Sequence, residues 1–348
     1  MANEKKTVRE PSFILALIPI VAMIGFMLYC FRGHSESGYH DAHMPLVLSI
    51  VVACIVGAIC GHSFKEMLAG MIERLAASME AVLILCTVGF LVSSFMASGA
   101  IPSLIVYGLD LLTPKLFLPV GCILCAIVGM ACGSSWTTTA TIGLAFLGIG
   151  AGLGIPAPIT AGMIISGAYV GDKFSPLSDT TNLAAAVAET GLFDHVTAMV
   201  STTGPTLLLS LILYTILGLN VDTSAYDATV AEGIQEAFRG AFTISPILLL
   251  PIIVVIVMCI LRVPGLVGIA ISVATATIFM MIFQSTDIYG SRALGDIFNM
   301  LHNGIVVETG NDVADSILGK AGGMNGTMWT INLILLALAY GGALERCG

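Results

Sequence analysis

Most of the reactive chemistry in this chain is gathered into one stretch, Gly171-Asp172-Lys173-Phe174-Ser175-Pro176-Leu177-Ser178-Asp179-Thr180-Thr181-Asn182. It holds two carboxylates, one ammonium, four hydroxyls and an amide. Apolar residues flank it, at 159–170 and again at 183–187. Carboxylate, hydroxyl, amide and freed backbone carbonyl oxygens are the ligands a hard cation prefers. Ser175-Pro176 suits the start of a second half-helix, with Ser as the cap and Pro in the first turn, which puts Asp179 in or next to that turn. Residues 171–178 are therefore expected to be non-helical at mid-membrane depth. The plain alternative is a polar loop between two spans, with Asp172 and Lys173 facing water. Against it, 183–187 is too short for a span and Glu189 and Asp194 follow, so the polar element falls within one membrane crossing.

A second cluster is Gly133-Ser134-Ser135-Trp136-Thr137-Thr138-Thr139-Ala140-Thr141, in which six hydroxyls surround a tryptophan at a Gly-Ser break. As the tip of a re-entrant hairpin it offers hydroxyl and carbonyl oxygens to an ion. Equally, the hydroxyls could bond back to their own helix carbonyls, with Trp136 at an interface. Cys122 and Cys125 form a CxxC inside an apolar run with no second pair nearby, and read as small packing residues in the reduced state. His34, His40 and His43 have no helical spacing and no carboxylate cluster to organise them, so they read as solvated loop residues rather than a metal site.

The elements that hold these groups must lie in a membrane. Charged residues make up 10% of the 348 positions, against roughly 25% in a soluble domain, too few to cover a water-facing surface. Mean hydropathy is +0.99. The run 13–31 makes about 29 Å of helix, enough to cross a bilayer core. Similar runs are 44–60, 81–98, 116–131, 197–219, 242–261, 263–283 and 328–344. Backbone groups in lipid must be satisfied internally, so each is expected to be a helix. Residues 1–11 form a polar tail with no cleavage site after the first run. Lys5, Lys6 and Arg9 place that tail in the cytoplasm. No basic cluster points to nucleic acid, and no ATP-binding loop is present.

The chain reads as one membrane domain over 1–348. Residues 62–80 and, more briefly, 292–302 are amphipathic and interfacial. Asp110 reads as a helix-end residue, and Glu308, Asp312 and Asp315 as solvated. From 129 to 190 the apolar chain is broken by Gly143, Gly148, Gly150, Gly152, Gly154, Pro156 and Pro158, the chemistry of discontinuous transporter helices. At an offset of 249, Ser78-Met79 aligns with Thr327-Met328, and Ser98-Gly99 with Cys347-Gly348. That suggests a first repeat core over 81–219, broken near 132–141 and 171–182, and the opening of a second repeat over 325–348. The expected architecture is an all-α polytopic membrane protein: an inverted-repeat secondary transporter with discontinuous helices and a candidate re-entrant hairpin. On this reading the chain is a C-terminally truncated product.

Three segments carry a family resemblance: Gly133-Ser134-Ser135-Trp136-Thr137-Thr138, Ser166-Gly167-Ala168-Tyr169, and the stretch from Gly171 to Ala184. Ala100-Ile101-Pro102 and Tyr107-Gly108-Leu109 add to it. They resemble the NhaC-type sodium/proton antiporters of the ion transporter superfamily. The resemblance implies a multi-pass antiporter of the bacterial cytoplasmic membrane, with a cation site at the broken elements. It points at Asp172, Ser175, Ser178, Asp179, Thr180, Thr181 and Asn182, with Ser134, Ser135 and Thr137 across from them. It also implies a longer chain than this one.

The mechanism expected is competition at one carboxylate. Burial favours the protonated form and a bound cation favours the carboxylate, so Na+ and H+ each expel the other from Asp172 or Asp179. Rocking one bundle against another then exposes the site to alternate sides. Lys173 is the candidate counter-ion that releases Asp172 when Na+ arrives. The partners expected are Na+, H+ and the bilayer, with a homodimer as a further candidate, and no cofactor. One rival is exchange of small carboxylates such as malate and lactate, because a half-helix N-terminus near Ser178 could hold an anion. A remoter rival is an intramembrane aspartyl hydrolase, which needs two aspartates facing one another from separate helices.

Overall fold

The computed structural model describes residues 9, 11–32, 41–132, 135–175, 178, 180–181, 184–185, 188, 190–220, 228–261, 263–319 and 321–347. Every regular element among them is helical. In chain order these are α1 (Phe13–Phe31), α2 (His43–Ile59), α3 (Phe64–Ala77), α4 (Met79–Ala97), α5 (Ala100–Leu111), α6 (Pro114–Cys132), α7 (Ser135–Thr138), α8 (Leu144–Gly152) and α9 (Ala157–Phe174). They continue with α10 (Leu192–Leu219), α11 (Ala228–Ala241), α12 (Leu250–Ile260), α13 (Gly265–Phe283), α14 (Leu294–Asn303), α15 (Asp312–Leu318) and α16 (Gly323–Cys347). Four helices are long and apolar enough to cross a bilayer: Phe13–Phe31, Leu192–Leu219, Leu266–Phe283 and Gly323–Cys347. Two bent helix pairs would raise that to six. The chain is thus a multi-pass, all-helical membrane protein, as its apolar runs require.

Contacts divide it into two compact units, one of residues 1–86 with 328–348 and one of 87–327. In the first unit α1 packs along α2, which buries Leu46, Ser49, Ala53, Val56 and Gly57. A capping box starts α3: the Ser63 hydroxyl accepts from Glu66 N–H, and the Glu66 carboxylate accepts from Ser63 N–H. It buries Met67, Gly70 and Met71, while Phe64, Leu68 and Ile72 of the same apolar pattern are exposed. Met71 joins Ala53, Tyr340 and Ala343 in a small core. Arg346 lies 3.3 Å from Glu73 and Arg74 3.8 Å from Glu345, exposed pairs of small energetic weight.

The second unit is built around α6 and α9, its most extensive helix pair. Phe117 on α6 meets Phe146 on α8 edge to face, with ring centroids 5.9 Å apart. Gly99, at φ +79°, reverses the chain between α4 and α5. The helix expected over 242–261 starts late: α11 ends at Ala241, and the helical segment that begins at Pro246 meets it at 91°. Ser245 is extended at φ −154°, ψ 146°, as a residue before proline tends to be, and a short 3₁₀ turn, Pro246–Leu249, follows. The buried Gln284 holds this break. Its Nε2 donates to the Ser98 and Thr243 carbonyls at 3.0 and 3.1 Å, and its Oε1 accepts from Thr243 N–H at 3.0 Å.

Candidate functional site

The site lies in the second unit, where α9 ends. The helix continues through Gly171, Asp172, Lys173 and Phe174, correcting the expectation that residues 171–178 are all non-helical. Nothing in Gly171–Phe174 forbids a helix. The break waits for Ser175, whose extended backbone (φ −85°, ψ 123°) is the conformation favoured before the proline that follows it in sequence. Beyond the break, Thr180, Thr181, Ala184 and Ala185 are helical again. The discontinuity expected from the sequence is therefore present, but it begins four residues later.

Asp172 is buried, with 5% of its surface exposed, in the last turn of α9. The Ser135 hydroxyl approaches its Oδ2 at 3.4 Å from α7, and the Thr180 hydroxyl approaches the same oxygen at 3.5 Å. Ser178 and Thr180 hydroxyls are 3.0 Å apart, and Ser178 Oγ accepts from Thr181 N–H at 3.3 Å. Thr181 caps the end of α9. Its hydroxyl donates to the Asp172 carbonyl at 3.2 Å and reaches the Lys173 carbonyl at 3.5 Å. The Asp172 carbonyl also accepts from Ser175 N–H at 3.1 Å, so Thr181 adds a second bond among the last carbonyls of the helix. Thr181→Val keeps the side chain's shape and removes the donor. It should lower stability by about 1 kcal/mol and Thr181→Ser by much less. Equal denaturation midpoints for wild type and Thr181→Val would show that this cap carries no energy.

Electrostatics at this end of α9 favour a cation. The helix dipole places partial negative charge at the C-terminus, where Asp172 adds a full one. A bare carboxylate out of water is costly unless a proton, a cation or several donors meet it. Lys173 is half-buried on the next position of the helix, where consecutive side chains do not face each other. Among the described residues no ion pair engages it. No group of three or more His, Cys, Asp or Glu side chains gathers among the described residues either. Among the described residues, the oxygens placed near the Asp172 carboxylate are hydroxyls, those of Ser135 and Thr180.

The second cluster answers its two readings separately. Ser135–Thr138 forms one helical turn, and Thr139–Gly143 continues as a wider π turn, a form common at functional sites. Thr139 Oγ1 donates to the Ser135 carbonyl at 2.8 Å, and Thr141 Oγ1 to the Thr137 carbonyl at 2.7 Å. For these two the back-bonding reading holds. Ser135 instead turns its hydroxyl to Asp172. Thr137 and Ser175 are buried within the same elements. Trp136 is 48% exposed. Asp179, Asn182 and Ser134 lie outside the described residues.

What brings α6 so close to α9 was not singled out in the sequence. Gly167 and Gly171, four apart, lie against the α6 backbone. A Cβ on Gly171 would collide with the Ala126 carbonyl and come within 2.7 Å of Met130 N. On the facing helix, a Cβ at Gly129 would come within 2.7 Å of the Ala168 carbonyl. The signal was available as a small-xxx-small spacing, the usual mark of close helix crossing in membranes. Elsewhere, His43 is not a solvated loop residue. It opens α2 and contacts Asp41 and Trp329, while His34 and His40 lie outside the described residues. Asp110 sits at the end of α5 as expected, accepting from Gln235 Nε2 at 2.9 Å.

Residues 167–348 match the model of the Na+/H+ antiporter family. The chain is similar to the arginine/ornithine antiporter ArcD of Halobacterium salinarum, at 37% identity over 98% of this chain and 68% of that one. It is similar to the Na+/H+ antiporter NhaC of Alkalihalophilus pseudofirmus, at 34% identity over 88% of this chain and 65% of the relative. It is also similar to the malate-2H+/Na+-lactate antiporter of Bacillus subtilis, at 33% identity over 99% and 71%. These relatives are named as antiporters, transporters rather than enzymes, and this chain spans about two thirds to three quarters of their lengths. No solved structure matches it.

Proposed function

The chain belongs to the Na+/H+ antiporter family, and from that premise we propose that it exchanges Na+ for H+ by competition at Asp172. The observation that carries this reading is the approach of two hydroxyls, from separate elements, to one buried carboxylate oxygen at 3.4 and 3.5 Å. Those contacts are long for hydrogen bonds. They suit shared coordination better. Two oxygens bound to one hard cation at about 2.4 Å and at right angles stand about 3.4 Å apart. With a proton in place of the cation, Asp172 becomes neutral, and its one O–H can donate to one of the two hydroxyls while the other donates to the carboxyl. Asp179, Asn182 and Ser134 complete the proposed ligand set, and Lys173 supplies positive charge nearby when Na+ has left. Alternating exposure of the site completes the cycle. The setting proposed is a bacterial cytoplasmic membrane with the N-terminus in the cytoplasm and a second copy as candidate partner.

A second reading follows from the relatives' names. One exchanges malate and lactate and another arginine and ornithine, so an organic ion is a candidate co-substrate here. The carboxylate and the carbonyl end of α9 favour a cationic group over an anionic one at Asp172 itself. Proteoliposomes with a trapped pH dye distinguish these readings. A Na+ gradient alone should drive proton movement. Flux that needs malate, lactate or a basic amino acid would favour the second reading instead.

A further inference from the structure

A cluster in the first unit, separate from Asp172, joins the start of α2 to α16. His43 Nδ1 stands 2.5 Å from Asp41 Oδ1, and His43 Nε2 stands 3.2 Å from the Trp329 carbonyl oxygen. The other Asp41 oxygen accepts from the Trp329 indole N–H at 3.1 Å, and the His43 backbone N–H donates to Asp41 at 3.1 Å. The imidazole and indole rings meet nearly edge-on, at 75°, with centroids 5.2 Å apart. His43 and Asp41 side chains are only 20% and 28% exposed.

The donor and acceptor count fixes what this cluster needs. The hydrogen bond from His43, with the one from Trp329 adding to it, holds the Asp41 carboxyl down at about 2, so it is an acceptor only. The Trp329 carbonyl is also an acceptor only. A neutral imidazole has one N–H and would set a lone pair against one of them, whereas the imidazolium donates to both. We propose that His43 is a second proton-binding site, and that its proton latches the segment before α2 to the first turns of α16.

Among the described residues the charged surroundings are few. On α16 the charged residues, Glu345 and Arg346, lie at the opposite end, beside Arg74 and Glu73. On α2 itself the other titratable side chain is Cys54, three turns away. α1 brings Tyr29, Cys30 and Arg32 to its C-terminal end, leading into the same connection. Asp41 is the one charged group bonded to His43 among the described residues. When the proton leaves, the Nε2 lone pair faces the Trp329 carbonyl and that contact is lost, while the indole bond to Asp41 remains. Histidine is the side chain suited to make this change near neutral pH.

The test reads the indole directly and does not depend on transport. Trp136 and Trp329 are the two tryptophans, so Trp136→Phe leaves Trp329 as the sole emitter. An imidazolium in contact with indole quenches its fluorescence. Emission should therefore rise in a single step as pH is raised from about 5 to about 9, and His43→Gln should abolish the step. Asp41→Asn should move the step to lower pH, because the imidazolium loses its carboxylate partner. This second variant keeps the proposal testable if His43→Gln does not fold. Flat emission in the parent, a step that survives His43→Gln, or a step that Asp41→Asn leaves in place would overturn it.

Discussion

Asp172→Asn should abolish sodium-dependent proton movement, lowering the rate by at least about 100-fold, the equivalent of about 2.7 kcal/mol lost from the exchanged state. The amide has nearly the same shape and keeps one oxygen for the Ser135 and Thr180 hydroxyls, which can rotate to suit it. The variant should therefore still fold and insert. What it loses is the charge that holds Na+ and the basic oxygen that takes a proton in its place. Dye-reported flux after a sodium pulse measures this, with protein content of the vesicles as the control. Transport at a near-normal rate would place the exchanged charge elsewhere, with Asp179 the next candidate.

Gly171→Ala should be nearly as damaging, although it adds one methyl group. Its Cβ would press on backbone atoms of α6, the Ala126 carbonyl and Met130 N, and not on a flexible side chain that could move aside. The two helices must then separate, at a cost of about 1–3 kcal/mol for overpacking. Asp172 is the next residue, so the separation carries its carboxylate away from Ser135, which arrives from the other side of the crossing. An apparent Na+ affinity at least about tenfold weaker is expected, together with a lower thermal midpoint. Gly326→Ala is the control, because nothing stands within 4 Å of a Cβ there. Equal behaviour of the two variants would remove the α6–α9 crossing from the account of how Asp172 is placed.

The sequence made the membrane fold plain, because long uncharged runs admit one backbone solution in lipid. It was less good at breaks. The run 242–261 reads as one helix from its first residue, yet the helix starts only at Pro246, after an extended Ser245, and meets the preceding α11 at 91°. Conversely, Gly171–Phe174 is polar enough to read as unwound, yet it is helical, since polarity alone does not break a helix and the restriction before proline acts only at Ser175. The candidate site was legible as composition and as a family resemblance. That Ser135 meets Asp172 across 37 residues depends on helix packing, which no local pattern encodes. The glycines that permit that packing were visible, but their spacing is informative only once a facing helix is known.

Competition between Na+ and H+ at Asp172 is tested most directly by counting protons without any membrane. Purified protein in detergent and minimal buffer, at a pH where transport is active, is given NaCl, with choline chloride as the ionic-strength control. The account predicts prompt, saturable release of protons on Na+ addition, and none from Asp172→Asn. Sodium binding without proton release, or equal release from Asp172→Asn, would contradict it.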